Sequence, residues 1–264
     1  MSRPIVWSIA GSDSGGGAGI QADLHVLHTL GTHGCTAITT ITAQNSVKTD
    51  ALYPLTGEQV HCQLSCLLKD MPPAAIKIGL ISNTDQLKTI AGFLEAWPED
   101  ISRPFVVWDP VLISTQNDVL SELKREDITT LLKQLDLITP NQSELMMLTG
   151  QNVCSEQAYA GLAESLRSEG VSSVLLTGML NRSQGTYSDY FYSQNTQFVL
   201  EHDVVDTFHD HGTGCTLSCA IAAFAAHGFP IEDCLVLAGA YVHQGLQQSI
   251  SVGRGPGPVA HTAW

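Results

Sequence analysis

Short apolar runs alternate with stretches of helical period along most of this chain. Ile5–Ala10 is apolar and is followed by a glycine-rich loop at 11–19. Apolar residues then recur at helical spacing as far as Leu30, and Gly31 closes the segment, which predicts a helix. Gly34–Ala43 is rich in β-branched residues and predicts the next strand. A strand, a helix and a strand joined in this way form a βαβ unit with parallel strands.

The same alternation continues along the chain, without a repeat or a low-complexity linker. It predicts strands at Ala75–Ile81, Phe105–Asp109, Leu135–Thr139 and Val171–Thr177, and antiparallel edge strands at Tyr187–Tyr192 and Gln197–Val205. Helices are predicted from the capping box at Thr56 to Met71, from Asn83 or Thr84 to Trp97, and at Asn141–Leu148, Ser155–Glu169, Thr213–His227 and Ile231–Ile250. We therefore expect one α/β domain over residues 1–264, with a mainly parallel sheet and helices on both faces.

The balance of charges limits the partners of the chain. Its 264 residues contain 12 Lys and Arg against 26 Asp and Glu, a formal net charge of −14. Such an acidic surface repels nucleic-acid phosphate and anionic lipid, so we expect neither as a partner. A phosphate-bearing ligand would have to be held by backbone amides and a metal ion. No secretion signal or membrane-length apolar run is found, and we expect a cytoplasmic protein.

The seven cysteines do not have the even number and compact spacing of a disulfide framework. Cys62 and Cys66, like Cys215 and Cys219, are four residues apart with histidines nearby, a pattern that metal binding could explain. No pair has the C-x₂-C spacing of structural zinc. We interpret the cysteines as reduced, with several of them in the core.

Ligands of open parallel sheets bind beyond the C-terminal ends of the strands. In this chain the segments at those ends are the glycine loop, Gln44-Asn45, Gly79-Leu80, Asp109-Pro110, Thr139-Pro140-Asn141 and Thr177-Gly178. The loop at Gly212 starts a helix and should meet these segments at the same edge.

The stretch Gly212-Thr213-Gly214-Cys215 precedes an Ala-rich helical run. Glycines permit a tight turn, and the first N–H groups of a helix have no intrahelical partner, so this stretch could hold an anion. Cys215 would lie in the first turn, where the pKa of a thiol is lowered, and the combination suggests phosphoryl or acyl transfer. The alternative is a glycine turn before a buried helix, with Cys215 as a small core residue. The stretch by itself favours neither.

The glycine loop at 11–19 matches neither common nucleotide-binding motif. Gly17 stands where a P-loop requires lysine, and Gln44 ends the second strand where a Rossmann fold has an acidic residue. Asp23 lies one helical turn after the loop. Together, Asp23 and Gln44 could recognise the donors and acceptors of an aminopyrimidine, although each could instead have a surface or capping role.

Oxygen donors also follow two of the predicted strands. Asp109 ends one strand, and Asn141 and Glu144 lie three residues apart at the start of a helix. This arrangement suits Mg²⁺ held partly through water. Asn141 and Glu144 could also simply cap the helix, and the two roles are compatible.

Several stretches, in order along nearly the whole chain, resemble the bacterial hydroxymethylpyrimidine/phosphomethylpyrimidine kinases. They are Ile9–Leu24, Thr42–Asn45, Lys77–Gly79, Asp109–Val111, Thr139–Glu144, His211–Ser218 and Gly255–His261. The resemblance implies a ribokinase-like three-layer fold, a homodimer and two ATP-dependent phosphorylations in thiamine biosynthesis. The first would convert 4-amino-5-hydroxymethyl-2-methylpyrimidine (HMP) to HMP phosphate, and the second would make the diphosphate.

The resemblance also implies roles for individual residues. Contacts with the pyrimidine would come from Gly11, Asp23, Gln44 and Leu80, contacts with ATP from Asn141, Thr177 and Gly178, Mg²⁺ ligands from Asp109 and Glu144, and the catalytic anion hole from Gly212, Thr213, Gly214 and Cys215. Many ribokinase relatives have Asp at the position of Cys215 as the catalytic base. Here a thiol must act as the base, or the anion hole must provide most of the catalysis.

The chain departs from the family pattern at three places. Thr177 stands where the family usually has a lysine near the ATP phosphates, Leu80 replaces a common Met, and residues 112–117 lack the usual Gly-containing turn. Threonine at this position looks more like the pyridoxal kinases of the same superfamily. A pyridoxine or pyridoxal kinase is therefore one alternative, and a degraded kinase that senses a pyrimidine or a nucleotide is another.

Overall fold

The computed structural model describes residues 3–112, 120–121, 123–151, 157–181 and 185–262. Within them the strands are β1 (Ile5–Asp13), β2 (His33–Gln44), β3 (Thr49–Pro54), β4 (Ala75–Ile78), β5 (Phe105–Trp108), β6 (Leu137–Ile138), β7 (Ser173–Asn181), β8 (Thr186–Tyr192) and β9 (Gln197–Asp203). The helices are α1 (Gly19–Thr29), α2 (Gly57–Leu68), α3 (Thr84–Glu95), α4 (Arg125–Leu132), α5 (Gln142–Thr149), α6 (Gln157–Ser168), α7 (Thr213–Ala226) and α8 (Ile231–Gln247).

The strands form one sheet in the order β3-β2-β1-β4-β5-β6-β7-β8-β9. Neighbours from β2 to β7 in this order are parallel. β3 is antiparallel to β2 at one edge, and β8 and β9 continue antiparallel from β7 at the other. The expected parallel sheet with antiparallel edge strands is therefore confirmed.

Two elements, β3 and α4, are not predicted from the sequence. β3 contains Asp50 and Pro54, is half-buried or exposed, and exists because it pairs with the edge of β2. α4 is only eight residues long and opens with charged residues, so its apolar pattern is too short to recognise. The start predicted for a helix at Ser155 lies outside the described residues, which begin again at 157.

The core is divided between the two faces of the sheet, because successive side chains of a strand point in opposite directions. Trp7 belongs to the cluster that packs under α2, α3, α4, α5 and α6. Val6, its neighbour, belongs to the cluster under α1, α7 and α8. This confirms the expected three layers, with helices on both faces of the sheet.

Helix α7 is buried over most of its length. Residues 215–224 are all buried, and the small side chains of Ala220, Ala222 and Ala223 allow close packing. The helix lies against β4 and β5 and between α1 and α8, and the side chain of Ser218 reaches Asp109, just after β5. Its N-terminus is thereby fixed at the C-terminal edge of the strands. In the described part of the chain, no helix has the length and apolar character needed to cross a membrane.

Candidate active site

A cavity of about 270 Å³ lies at the C-terminal edge of the parallel strands. Its wall contains most of the predicted site residues, namely Gly11, Gln44, Leu80, Asp109, Asn141, Glu144, Gly212, Thr213, Gly214 and Cys215. A second cavity of about 360 Å³ contains Thr177 and Gly178. The two cavities share Asp109, Asn141, Glu144, Asp210, Thr213 and Gly214. The structure therefore brings the predicted groups together in two adjoining compartments.

Asp13, the last residue of β1, organises the glycine loop. Its carboxylate accepts hydrogen bonds from the amides of Gly15 (2.7 Å), Gly17 (3.1 Å) and Ala18 (3.0 Å). His211 Nε2 lies 3.2 Å from the same carboxylate. Burial opposes the charge of Asp13, but His211 and the amides outweigh it and hold the pKa of Asp13 below its usual value. Neither Asp13 nor His211 was assigned a role from the sequence, although both lie within the recognised motifs.

The C-terminal segment, defined as residues 255–262, holds His211 through backbone hydrogen bonds. The amide of His211 donates to the carbonyl of Gly257 (3.2 Å), and its own carbonyl accepts from Val259 (3.0 Å). His261 is buried, and its Nδ1 lies 2.9 Å from the hydroxyl of Thr216 in α7. Burial lowers the pKa of His261 to about 4. The C-terminal segment therefore joins the glycine loop to the first turns of α7.

Gln44 is placed as predicted, at the end of β2 and in the wall of the first cavity. Its backbone exchanges hydrogen bonds with the hydroxyl of Ser14, at 2.9 and 2.8 Å. Within the described part of the chain its side-chain amide has no protein partner. Gly11 and Leu80 line the same cavity, so a planar ring can lie against them while the amide of Gln44 offers both a donor and an acceptor.

The structure corrects the position expected for Asp23. This residue is fully buried in α1 and lines neither cavity. Both of its carboxylate oxygens lie 2.9 Å from Nζ of Lys77, and Ser8 Oγ donates to one of them. It is Lys77 that reaches the cavity wall. The sequence placed Asp23 near the glycine loop but could not show which side chain across the helix–sheet interface binds its charge.

Asn141 and Glu144 form the helix cap that the sequence allowed. The side chain of each accepts a hydrogen bond from the backbone amide of the other, at 3.0 Å. Glu144 and Asp109 are both 5% exposed. Burial and the charge of Asp109 raise the pKa of Glu144 to about 8, and burial also raises the pKa of Asp109. Because the ionised forms of these two buried groups repel each other, ionising both of them is unfavourable unless a cation lies at the boundary of the two cavities.

This pair fits the requirements of Mg²⁺. Among the described residues there is no group of three or more His, Cys, Asp or Glu placed to hold a metal ion. Mg²⁺ commonly takes only one or two carboxylates from the protein and completes its shell with water and phosphate oxygens. Asp109 and Glu144 provide that number of hard oxygen ligands, and a cation between them would offset their repulsion.

Helix α7 begins at Thr213 behind Gly212, whose backbone is left-handed with a φ of +82°. A Cβ on Gly212 would lie 2.1 Å from the carbonyl oxygen of Gly17, so the two loops are in direct contact. The amides of Gly214 and Cys215 belong to the first turn, where N–H groups have no intrahelical acceptor. Both residues line the first cavity. A helix start open to a cavity in this way is suited to bind an anion.

The expectation that the pKa of the Cys215 thiol is lowered is wrong. Burial raises the pKa to about 12, Lys77 opposes the rise, and Asp109 and Asp23 add to it. Cys215 is only 8% exposed, and the loss of solvation outweighs the effect of the helix N-terminus. Cys215 is therefore a neutral thiol near pH 7. Cys215 is thus a small buried residue, as the second interpretation of the stretch has it, and it also lines the first cavity, as an anion site there would require.

The second cavity is strongly acidic. Its wall contains Asp109, Glu144, Asp189, Asp203 and Asp210, and no lysine or arginine from the described residues. Asp189 accepts a hydrogen bond from the amide of Gly178 (2.7 Å) and lies 3.2 Å from His202 Nε2, a contact that raises the pKa of His202. Asp189 and His202 were also missed from the sequence. The altered turn at 112–117 falls almost wholly outside the described residues, since only position 112 is included.

A compartment suited to a small ring, beside one suited to a cation-bound phosphate chain, is what a kinase of small molecules requires. The sheet and its helices place both compartments at the edge where such α/β enzymes bind ligands. Comparison with known proteins then gives the family. The sequence profile described as phosphomethylpyrimidine kinase matches residues 13–260, and this chain belongs to that family.

Individual relatives agree with this assignment. The hydroxymethylpyrimidine/phosphomethylpyrimidine kinase of Rhizobium meliloti (strain 1021) is 37% identical over 264 residues, which cover 97% of this chain and 96% of that protein. The protein of the same name from Bacillus subtilis (strain 168) is 33% identical over 269 residues, covering 100% and 97%.

Solved structures show the same fold. The pyridoxal kinase of Staphylococcus aureus superimposes with a TM-score of 0.89 at 28% identity and covers 100% of this chain and 95% of its own. The phosphomethylpyrimidine kinase of Clostridium difficile 630 has a TM-score of 0.77 at 31% identity, covering 91% and 98%. The Staphylococcus aureus enzyme has been solved with AMP-PCP and pyridoxal. The ribokinase-like fold and the phosphotransferase class are thus confirmed.

Proposed function

We propose that this kinase phosphorylates HMP and then HMP phosphate with ATP, making HMP diphosphate for thiamine biosynthesis. One observation carries the proposal: a single cavity has Gly11 and Gln44 in its wall together with the helix start at Gly214 and Cys215. A pyrimidine bound by the first pair can present its hydroxymethyl group to the second. Relatives named hydroxymethylpyrimidine/phosphomethylpyrimidine kinase support this choice of substrate.

Gln44 is the residue that distinguishes an aminopyrimidine in this proposal. Its carbonyl can accept from the 4-amino group while its NH₂ donates to a ring nitrogen. Leu80 provides an apolar wall for the ring, and Gly11 lets the ring approach the backbone. Asp23, which does not reach the cavity, acts only through Lys77.

The nucleotide is assigned to the second cavity, with Asn141, Thr177 and Gly178 around its phosphates. Asp109 and Glu144 would hold Mg²⁺, which when bound neutralises phosphate charge in a cavity that has no lysine or arginine of its own in the described residues. The amides of Gly214 and Cys215 would receive the charge that develops on the transferred phosphoryl group. Thr213 and Gly212 set the direction of that helix start.

Cys215 contributes mainly through its amide and as a weak acid–base group. Its thiol is neutral near pH 7 because burial raises its pKa to about 12. Phosphoryl transfer depends on positioning and charge stabilisation more than on a strong base. A protonated thiol at this position is therefore compatible with an active kinase.

The proposal is tested with purified protein, ATP and Mg²⁺ in a coupled assay of ADP release. HMP and HMP phosphate should each stimulate ADP release well above the rate with pyridoxal or pyridoxine. A clear preference for pyridoxal would overturn the substrate assignment. Binding of HMP without any HMP-dependent ADP release would identify a sensor in place of an enzyme.

A pyridoxal kinase is the second candidate, and two observations favour it. Pyridoxal kinase structures superimpose closely along the whole chain, and Thr177 lacks the charge usual for the family. The higher identity to the named pyrimidine kinases and the amide of Gln44 weigh against it. The homodimer and the cytoplasmic location stay predictions from the family resemblance and the sequence, and sedimentation equilibrium would test the first.

A further inference from the structure

Lys77 is a charged residue with no solvent exposure. It lies in β4 between Ile76 and Ile78, which face the α2–α6 side of the sheet. Because side chains alternate along a strand, Lys77 points to the other face, towards α1 and α7. It reaches the wall of the first cavity, and among the described residues no other lysine or arginine lines either cavity.

The ammonium group of Lys77 has hydrogen-bonding capacity left over. Its Nζ lies 2.9 Å from each carboxylate oxygen of Asp23, and these contacts use at most two of its three N–H groups. No further acceptor is found for it in the part of the chain that the structure describes. Buried polar groups in native proteins are normally satisfied, so an unused donor on a residue of the cavity wall indicates a ligand atom as its partner. Because the side chain of Lys77 has no exposure of its own, this contact requires a small movement that opens the ammonium group to the cavity.

The surroundings hold Lys77 in place. Asp23 is fixed by the hydroxyl of Ser8, and the thiol of Cys219 donates to its carbonyl at 3.5 Å. A Cβ at Gly79 would lie 3.0 Å from Nζ, so glycine leaves the ammonium its space. A buried ion pair contributes little stability compared with apolar residues of similar volume. Stability therefore does not explain why this pair is present.

The positive charge acts on the reacting end of the cavity. Burial opposes the charge of Lys77, but Asp23 outweighs it and raises the pKa above its usual value, so the group is a cation at neutral pH. The thiol of Cys215 lies near enough for the same cation to counteract the rise in its pKa, and both residues line the first cavity. Lys77 and Cys215 line the first cavity but not the second, which places them with the acceptor substrate and not with the nucleotide.

We propose that Lys77 is a catalytic residue whose free N–H donates to the hydroxymethyl oxygen of the pyrimidine, with Asp23 as its positioning residue. The inference rests on the proposed function. In the transfer, the hydroxymethyl oxygen forms a bond to the γ-phosphorus, and the bond from that phosphorus to the β,γ-bridging oxygen breaks, its electron pair leaving with ADP. The hydroxyl proton passes to an oxygen of the transferred phosphoryl group. Lys77 keeps its protons and offsets negative charge on the attacking oxygen, so no thiolate is needed.

The contact is tested by binding and by turnover. Calorimetry compares HMP with 4-amino-2,5-dimethylpyrimidine, which lacks the hydroxyl group. The wild type should bind HMP about tenfold or more tightly, as expected for a hydrogen bond to a charged group. The double variant Lys77→Met/Asp23→Asn, which leaves no buried charge unpaired, should bind the two ligands equally. Its kcat should fall about 10²–10³-fold.

Two controls separate the possible failures. Lys88→Met removes an exposed lysine that pairs with Asp127 at 2.9 Å, and it should keep the wild-type kcat. Equal binding of both pyrimidines by the wild type would overturn the inference even if no variant folds, and so would a wild-type kcat in the folded double variant. Absence of HMP-dependent ADP release by the wild type would instead remove the proposed function on which the inference rests.

Discussion

Cys215 and Gln44 line the same cavity, but their side chains differ in burial and in the hydrogen bonds that they can offer to a ligand. Burial keeps the thiol of Cys215 protonated near pH 7, with a pKa of about 12. The amide of Gln44 has no protein partner in the described part of the chain and is free for a ligand. At the scale of residues, the first should therefore affect the rate of transfer and the second the binding of the pyrimidine.

Cys215→Ala should lower kcat, but by less than the roughly 10²-fold typical of a general acid or base, because alanine keeps the backbone amide of the helix start and removes only a neutral thiol. Binding of HMP, measured by calorimetry, should persist. Cys62→Ala, an exposed thiol on α2, is the matched control and should behave as wild type. Wild-type turnover in Cys215→Ala would show that the thiol takes no part in proton transfer.

Gln44→Ala should raise KM for HMP about tenfold, the loss expected from one or two neutral hydrogen bonds. Because the nucleotide is assigned to the other cavity, KM for ATP should stay unchanged. Steady-state kinetics with each substrate varied in turn gives both values. An unchanged KM for HMP would mean that the pyrimidine lies elsewhere in the cavity.

At the scale of elements, the site depends on the contact between the glycine loop at 11–19 and the loop at Gly212. The C-terminal segment holds this contact in place. Apolar runs predict the parallel strands, and the strand-end rule then predicts that Gly11, Gln44 and Asp109 gather at one edge, as they do. The hydrogen bond between Asp13 and His211 could not be predicted in the same way. It joins residues 198 positions apart, and no local pattern encodes such a pairing.

Gly212→Ala tests the contact between the loops. A Cβ at this position would meet the carbonyl oxygen of Gly17 at 2.1 Å, and the backbone is left-handed. Gly228→Ala is the control, because Gly228 has a similar φ of +86° with nothing within 4 Å. Gly228→Ala should cost about 1 kcal/mol of unfolding free energy and leave kcat intact. Gly212→Ala should cost more and abolish turnover. Equal effects in chemical denaturation and kinetics would contradict the loop contact.

The C-terminal segment should make stability depend on pH through His261. Its pKa is about 4 in the folded protein, mainly through burial, with His25 and His211 lowering it further and a backbone hydrogen bond to Gly17 and the charge of Asp13 opposing them. The unfolded chain, with an ordinary histidine pKa, binds more protons between about pH 4 and 6.5. Stability is therefore full above this window and is lost as the pH falls through it. Between pH 6.5 and 4.5, the unfolding free energy of His261→Asn should fall by on the order of 2 kcal/mol less than that of the wild type. Urea titrations at both pH values measure this, and parallel losses would contradict it.

At the scale of the whole molecule, the acidic composition shapes how phosphate is held. The formal net charge of −14 predicts that no basic field helps, and the cavities agree, with Lys77 as their single lysine or arginine among the described residues. The sequence could not show that Lys77 is buried in the site. Its charge is compensated by Asp23, which lies 54 positions away and was assigned to the substrate.

Thr177→Lys should tighten ATP binding about tenfold, since it adds a charge-assisted contact in a cavity rich in carboxylates. Asn195→Lys, in the exposed turn between β8 and β9, makes the same change in net charge away from the cavity and should have no effect. Titration of each variant with ATP gives the affinities. Equal affinities for Thr177→Lys and wild type would mean that the phosphates lie away from position 177.

The backbone hydrogen bonds that His211 makes with residues 257 and 259 have a consequence for the order in which the fold and the site can form. The first 250 residues contain all the strands and helices found in the described part of the chain. These 250 residues do not include the C-terminal segment that joins the glycine loop to the start of α7. A chain cut short near residue 250 should thus be able to assemble its sheet while its site lacks this support.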